Sequence, residues 1–318
     1  MKGLAYPYDR GLYSRLFLNC YQRQSLVMLA EREPQVHQLF HRCLISTDDI
    51  LQQIIREQRP KYSFESGFFD RDDLERIGIV REEVEFETYA DARSLLLDVV
   101  SQEGYAILVG DVFYWPHCPE YTTKHLVHTI LLKGYDPKTA EWSLLDDNPA
   151  SLLCAYTYPE ELIAAGFDNG ELRRVRYFTT KPFDAQEAGV ETRHAFSRLL
   201  ERYQDSYTLL SDVGELISCP WIAPERAVAA LHDAFSVYQG TRAGLGEYIR
   251  RTCVAPDVEA VVDRIVRQAE GVMNQLLLGK VTGSVDPGRL TDACRGLKAD
   301  EQELLVRLKA VDEARESK

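Results

Sequence analysis

No stretch of the chain approaches the roughly 20 consecutive apolar residues needed to cross a bilayer. The opening MKGLAYPYDRGLY carries one Lys with no apolar run behind it, so neither a membrane span nor an export signal is expected. Basic residues are in deficit: 37 Lys+Arg against 50 Asp+Glu leave a formal charge of −13 over 318 residues. That balance argues against nucleic acid as a partner, because neutralising phosphates requires clustered cations. Cysteine pairs are missing as well. Cys20, Cys43, Cys118, Cys154, Cys219, Cys253 and Cys294 are odd in number and scattered, without a C-x-x-C. A disulfide framework is therefore excluded, and reduced thiols in the cytoplasm are the expectation. Neither G-x-x-x-x-G-K-[ST] nor G-x-G-x-x-G occurs, which removes positive support for nucleotide use.

What is present is an ordinary globular composition, 45% apolar, with enough chain for one large or two smaller hydrophobic cores. The pattern changes character near residue 185. Before it, helices and strands mix. CYQRQSLVMLAERE (Cys20 to Glu33) reads as a helix stopped by Pro34, Thr47-Asp48-Asp49 starts another, and DRDDLERIGI reads as a short third. DARSLLLDVVSQ ends at Gly104. Alternation of Val84, Phe86 and Thr88 with Glu83, Glu85 and Glu87 predicts a half-exposed strand. YAILVGDVFYW is β-rich, and HLVHTILLKGYD and EWSLLDD face each other across Asp136-Pro137-Lys138 as an antiparallel hairpin; Leu172 to Thr180 adds a further strand. After it, the periodicity is helical, with Val258, Val261, Val262, Ile265 and Val266 forming a buried stripe and DEARESK a candidate disordered tail. The expected class is α+β, with a catalytic domain over 1–184 and a helical domain over 185–318.

Chemistry concentrates in one cysteine and one histidine. Cys20 stands at a helix start, where free N–H groups and the macrodipole favour a thiolate. A thiolate nucleophile needs a base within reach, and the base needs an orienting acceptor. His128 opens the strand HTILLKGYD, and Asp146 ends the partner strand. Antiparallel pairing brings the start of one close to the end of the other. Asp147 and Asn148 lie beside Asp146, and register decides among them. Asp146 is preferred because it directly follows Leu144-Leu145, although an Asp here could instead cap the turn before Pro149.

A cysteine at a helix start, then His plus an apolar run plus Gly-Tyr, then a strand ending in Asp, resembles the papain-like and C39-like cysteine peptidase arrangement. Within it, the chain is similar to the butirosin-biosynthesis H-type acyltransferases, which follow such a domain with a helical region. The resemblance implies transfer of an acyl group from the phosphopantetheine of an acyl carrier protein, through a Cys20 thioester, to an amine of an aminoglycoside-like small molecule, with no other cofactor. His128 would serve as base, Asp146 would orient it, and the Cys20 N–H would be one oxyanion donor. Many C39-type enzymes carry Gln six residues before the cysteine; here Ser14 holds that place, and a backbone amide or Asn19 could supply the second donor. They also often follow the cysteine with Gly, where this chain has Tyr21.

Other readings stand beside this one. The same triad would serve a papain-like hydrolase acting as amidase, peptidase or thioesterase, and a non-catalytic binding protein could keep the fold. His117, Cys118, His125 and His128 offer four possible zinc ligands in twelve residues, but without the tight pairs of structural sites, and no metal is expected; His117 and Cys118 could instead line the cleft beside His128. Arg173, Arg174 and Arg176 form either a carrier-docking patch or a strand face paired with nearby Glu. Glu65, Asp70, Asp111 and Glu120 are candidates to line a cleft for a cationic aminosugar, and the helical half has apolar surface enough for a homodimer interface.

Overall fold

A computed structural model describes residues 3–218, 223–252 and 255–316; Cys219 and Cys253 lie outside them. The strands are β1 (Leu4–Ala5), β2 (Ile79–Glu85), β3 (Ala106–Asp111), β4 (Val127–Asp136), β5 (Glu141–Asp147), β6 (Leu153–Pro159) and β7 (Arg174–Thr180). The helices are α1 (Cys20–Arg32), α2 (Thr47–Ile50), α3 (Arg71–Arg76), α4 (Tyr89–Glu103), α5 (Glu160–Asp168), α6 (Ala185–Arg202), α7 (Thr208–Ser211), α8 (Val213–Ile217), α9 (Pro224–Thr252), α10 (Pro256–Thr282) and α11 (Pro287–Glu316). The chain is α+β, as expected, and forms two compact units. The first comprises Met1–Asp9, Asn19–Glu33 and Arg71–Phe183; the second comprises Arg10–Leu18, Pro34–Asp70 and Asp184–Lys318. Against a simple split at residue 184, two segments of the N-terminal half cluster with the C-terminal helices.

In the first unit the strands make one sheet in the order β1-β6-β5-β4-β3-β7-β2, with every pairing antiparallel. Its core uses the period-2 alternation of strands against one stripe of a helix. Ala106 and Leu108 of β3, Ile130 and Leu132 of β4, Trp142 and Leu144 of β5, and Tyr156 and Tyr158 of β6 bury themselves with Tyr89, Ala92, Leu96 and Val99 of α4 and Ile163 and Phe167 of α5. α4 starts at a capping box between Thr88 and Asp91 and stops at Gly104, whose φ of 73° suits a residue without a Cβ. Gly110 of β3 has a different role. A Cβ there would lie 2.7 Å from the Gly166 carbonyl oxygen and 2.9 Å from the Trp115 ring, so α5 approaches β3 backbone to backbone.

The second unit is helical. Glu301 accepts from Arg242 Nε at 2.6 Å and from Tyr238 Oη at 2.7 Å, while Arg242 Nη2 donates to the Ile45 carbonyl at 3.0 Å. That buried network ties α9 and α11 to the 34–70 segment. Val258, Val261, Val262 and Ile265 are buried along α10, with Val266 half-buried beside them.

Several sequence expectations need correction. The strand predicted over Glu83–Thr88 lies earlier, over Ile79–Glu85, because Thr88 is spent as the N-cap of α4. α2 does start at Thr47, as read from the sequence, with Ser46 as its cap, the Ser46 side chain accepting from the Asp49 N–H. The charged tail is helical through Glu316. Among the described residues, no helix is long and apolar enough to cross a membrane.

Candidate active site

Cys20 is the first residue of α1, which begins at a capping box: the Asn19 Oδ1 accepts from the Gln22 N–H at 2.9 Å, and the Asn19 N–H donates to Gln22 Oε1 at 3.2 Å. Such a cap contributes about 1 kcal/mol and fixes where the helix starts. The thiol thus sits at the positive end of the helix dipole, among the first-turn N–H groups. It is also the one half-exposed cysteine among the described residues, the others being buried.

α1 and Asp146 meet at His128. The His128 Nε2 lies 2.9 Å from Asp146 Oδ2 and 3.0 Å from Oδ1, and Cys20 hydrogen-bonds the same imidazole. With Nε2 engaged by the carboxylate, Nδ1 is the ring nitrogen left for the thiol. The three residues named from the sequence are therefore adjacent. Trp115, fully buried, packs its ring 6.2 Å from that of His128 and shields one side of the imidazole.

Strand alternation settles which aspartate meets His128. Asp146 shares a sheet face with Trp142 and Leu144, and its side chain is fully buried. Asp147 points the opposite way and pairs with Arg23 of α1, itself fully buried. Asn148 holds the turn into β6, accepting from the Ala150 and Leu152 N–H groups at 3.0 Å each. The turn-capping role considered for Asp146 belongs to Asn148.

Two further residues reach Asp146: His117, which the sequence offered as a possible zinc ligand or as a loop residue lining the cleft beside His128, and Gln24, which it did not single out. His117 Nε2 lies 2.6 Å from Asp146 Oδ2, and its Nδ1 lies 2.9 Å from the Tyr158 hydroxyl. Gln24, fully buried on α1, donates through Nε2 to Asp146 Oδ1 at 2.9 Å and to the Thr129 carbonyl at 3.0 Å, and its Oε1 accepts from Thr129 Oγ1 at 3.1 Å. Gln24 follows Cys20 by four residues and so occupies the same helix face. That spacing was the signal available for it.

The electrostatics follow from these contacts. Burial works to raise the Asp146 pKa, but the His128 charge and the hydrogen bonds from His117 and His128 outweigh it and hold the carboxyl down at about 2. For His128, burial opposes the charged form, yet the Asp146 carboxylate and the Cys20 thiolate push the imidazole up to about 10. The arrangement favours a thiolate–imidazolium pair backed by a carboxylate. Burial raises the Cys43, Cys118 and Cys294 thiols, which keeps them protonated and poorly nucleophilic.

The remaining candidates are distributed as follows. His125 does not join a metal cluster: its Nδ1 pairs with Asp111 at 2.6 Å and its ring stacks on Phe113 at 4.2 Å. His117, Cys118 and Asp146 do converge and could hold an ion. Three donors are one short of a structural zinc set, and the hydrogen bonds of His117 and Asp146 already account for the cluster. Asp111 is buried and accepts from His125 and from the Phe113 and Leu126 N–H groups, so it is not an acid open to a cleft. Glu65 pairs with Arg59. Arg174 pairs with Glu83 and Glu85 and Arg176 with Glu83 across the β2–β7 ladder, while Arg173 donates to the Glu87 carbonyl at 2.6 Å. Arg174 and Arg176 therefore form an ion-paired face of β7, whereas Arg173 precedes the strand. The Asn19 side-chain oxygen is committed to the helix cap, and Ser14 clusters with the second unit.

A half-exposed thiol at a helix start, an imidazole beside it and a buried carboxylate behind the imidazole are the groups that can activate a thiol as a nucleophile. No family model matches the chain. Over 269 residues it is 24% identical to the ribostamycin:4-(gamma-L-glutamylamino)-(S)-2-hydroxybutanoyl-[BtrI acyl-carrier protein] 4-(gamma-L-glutamylamino)-(S)-2-hydroxybutanoate transferase of Niallia circulans, a match covering 80% of this chain and 87% of that protein. The chain is a relative of that transferase, and its resemblance to the butirosin-biosynthesis H-type acyltransferases extends over most of its length.

Proposed function

We propose that this protein is an acyltransferase that moves an acyl group from an acyl-carrier-protein thioester, through Cys20, to an amine of an aminoglycoside-like acceptor. The first unit is then a papain-like Cys–His–Asp domain. The observation that carries the reading is the His128 imidazole, held at Nε2 by Asp146 and hydrogen-bonded to Cys20. The related transferase, whose own donor is carrier-bound and whose acceptor is ribostamycin, supports the choice of donor and acceptor class.

The residues account for each proton. His128 Nδ1 takes the Cys20 proton, and the thiolate attacks the carbonyl carbon of the donor thioester. The resulting oxyanion is met by the first-turn amide of Cys20. As the carbonyl reforms, the phosphopantetheine thiolate leaves with the proton held on His128, and Cys20 keeps the acyl group. The acceptor amine then attacks, His128 takes its proton, and the Cys20 sulfur is expelled as amide forms. The donor thioester is already activated, so nucleotide has no step to perform. Asp146 stabilises the imidazolium formed in both halves.

The test is intact mass measurement after incubation with an acylated carrier protein. An acyl adduct on the wild-type chain that is absent in Cys20→Ala, and that is discharged as amide on adding an aminoglycoside amine, is expected. Free acid as the sole product with every amine acceptor would instead assign hydrolysis. Persistence of the biological activity in both Cys20→Ala and His128→Ala would assign a binding protein.

A further inference from the structure

We propose that His117 is a positioning residue of this site, acting through Asp146 to hold the carboxylate in the orientation that His128 requires. The inference rests on the Cys20–His128–Asp146 reading and adds to it a buried residue that acts through Asp146.

Asp146 is a carboxylate shared by two imidazoles. His128 reaches both of its oxygens at 2.9 and 3.0 Å, His117 reaches Oδ2 at 2.6 Å, and Gln24 reaches Oδ1 at 2.9 Å. The carboxylate is thus gripped from two sides, and rotation about its Cβ–Cγ bond would break the His117 and Gln24 contacts together. His117 has the features of a fixed part. Its side chain is almost fully buried, and its ring stacks on Tyr156 at 4.4 Å and on Tyr158 at 5.6 Å. Ionised Asp146 can only accept, so His117 Nε2 carries the hydrogen that points at it, and Nδ1 faces the Tyr158 hydroxyl at 2.9 Å. Tyr158 therefore holds the far side of the His117 ring, His117 sets the plane of Asp146, and Asp146 sets His128.

A packing histidine would not need this chain of donors. Its loss would lower stability and leave the reactivity of Cys20 unchanged. A positioning histidine makes Cys20 reactivity depend on the Nε2–H alone, and glutamine and asparagine separate those cases. The glutamine side-chain nitrogen reaches about as far as the histidine Nε2, whereas that of asparagine stops near the place of Nδ1.

The test uses the full-length chain and iodoacetamide as probe, with the rate of Cys20 alkylation followed against pH by peptide mass mapping. His117→Gln is expected to keep the wild-type profile within about threefold at pH 7, while His117→Asn slows alkylation at pH 7 by about tenfold and moves the midpoint to higher pH. Tyr158→Phe, which removes one hydroxyl from a buried ring, is expected to fall between them and serves where His117→Asn fails to fold. His128→Gln separates the two levels of inference. If it leaves the Cys20 profile unchanged, the Cys–His–Asp reading itself is wrong. If it shifts the profile while folded His117→Asn and Tyr158→Phe keep the wild-type rates, or move the midpoint downward, the positioning role of His117 is overturned and the triad stands.

Discussion

Asp146 and Asp147 are neighbours, both buried and both partnered by a base, yet the structure assigns them opposite consequences on substitution. In Asp146→Asn the shape of the side chain is kept and its charge is lost. With the asparagine oxygen turned towards His128 and Gln24, both N–H donors still find an acceptor. The new amide then faces His117, which adapts by moving its proton to Nδ1, where the Tyr158 hydroxyl can turn to accept it. The expected stability loss is small, about 1–2 kcal/mol. Catalysis is not rescued, because no anion remains to stabilise the imidazolium, and the acylation rate constant should fall by about 10²–10⁴-fold. In Asp147→Asn, the fully buried Arg23 loses this counter-charge, while its Nη1 still donates to the Ser151 carbonyl at 2.8 Å. Stripping one partner from a buried pair costs about 3–5 kcal/mol. His128 keeps its own carboxylate, so acylation in the folded fraction should stay within about tenfold of wild type. The assay pairs urea denaturation with single-turnover acylation from an acylated carrier protein, read by intact mass. Full acylation rate in Asp146→Asn together with its loss in folded Asp147→Asn would refute the register argument and the carboxylate assigned from it.

Four further outcomes follow from the same geometry. Cys20→Ala should abolish the acyl adduct while changing urea-derived stability by less than about 1 kcal/mol, since the thiol is half-exposed and contributes little to the core. Gln24→Leu removes donors to Asp146 and the Thr129 carbonyl in a buried setting, and should cost about 1–3 kcal/mol together with a slower acylation step. The raised imidazole and depressed carboxyl also set a pH dependence: the His128 contribution to stability is complete below pH 6.5 and is lost as pH rises towards about 10, whereas that of Asp146 is present above the ordinary carboxylate range and lost as pH falls through about 2. The melting-temperature advantage of wild type over His128→Gln should therefore narrow from neutral pH to pH 10. Finally, because Arg174 is matched by Glu83 and Glu85, Arg174→Gln should leave the carrier-protein concentration dependence of acylation within about twofold of wild type; a tenfold weakening would restore the docking-patch reading.

The parts of the site that were legible in the sequence are those that local rules dictate. Cys20 could be placed because Asn19 and Gln22 form a cap before an apolar helix, and His128 because it opens a continuous apolar strand. The choice between Asp146 and Asp147 was not legible by counting along the hairpin, since a bulge between Leu132 and Gly134 shifts the β4–β5 register. The contacts of His117 and Gln24 with Asp146 were hidden for another reason. Each is a polar residue whose partner is distant in sequence: Gln24 meets Asp146 across 122 residues, and His117 meets Tyr158 across 41. A glutamine on a helix reads as solvated until the fold supplies a buried carboxylate. β6 and α5 also went unassigned, although Cys154, Tyr156 and Tyr158 alternate in a strand pattern. The affiliation of residues 34–70 with the C-terminal helices depends on the Arg242 network, which no local pattern announces.

The position of Asp146 separates Cys20 from Cys118 electrostatically. An isolated carboxylate in a dry interior costs several kcal/mol, and it persists only where donors converge on it. Here the donors come from α1, from the start of β4 and from the segment after β3, so the charge is tolerable only when those three stretches are assembled. That buried anion is what makes an imidazolium stable at the mouth of the site, and the imidazolium in turn makes a neighbouring thiolate stable. Cys118 lies close enough to feel the same carboxylate, but without a cation between them the anion raises its thiol further and suppresses reaction there. The sign of the Asp146 effect on a sulfur therefore depends on whether His128 stands between them, and Cys20 is the described cysteine that hydrogen-bonds that imidazole.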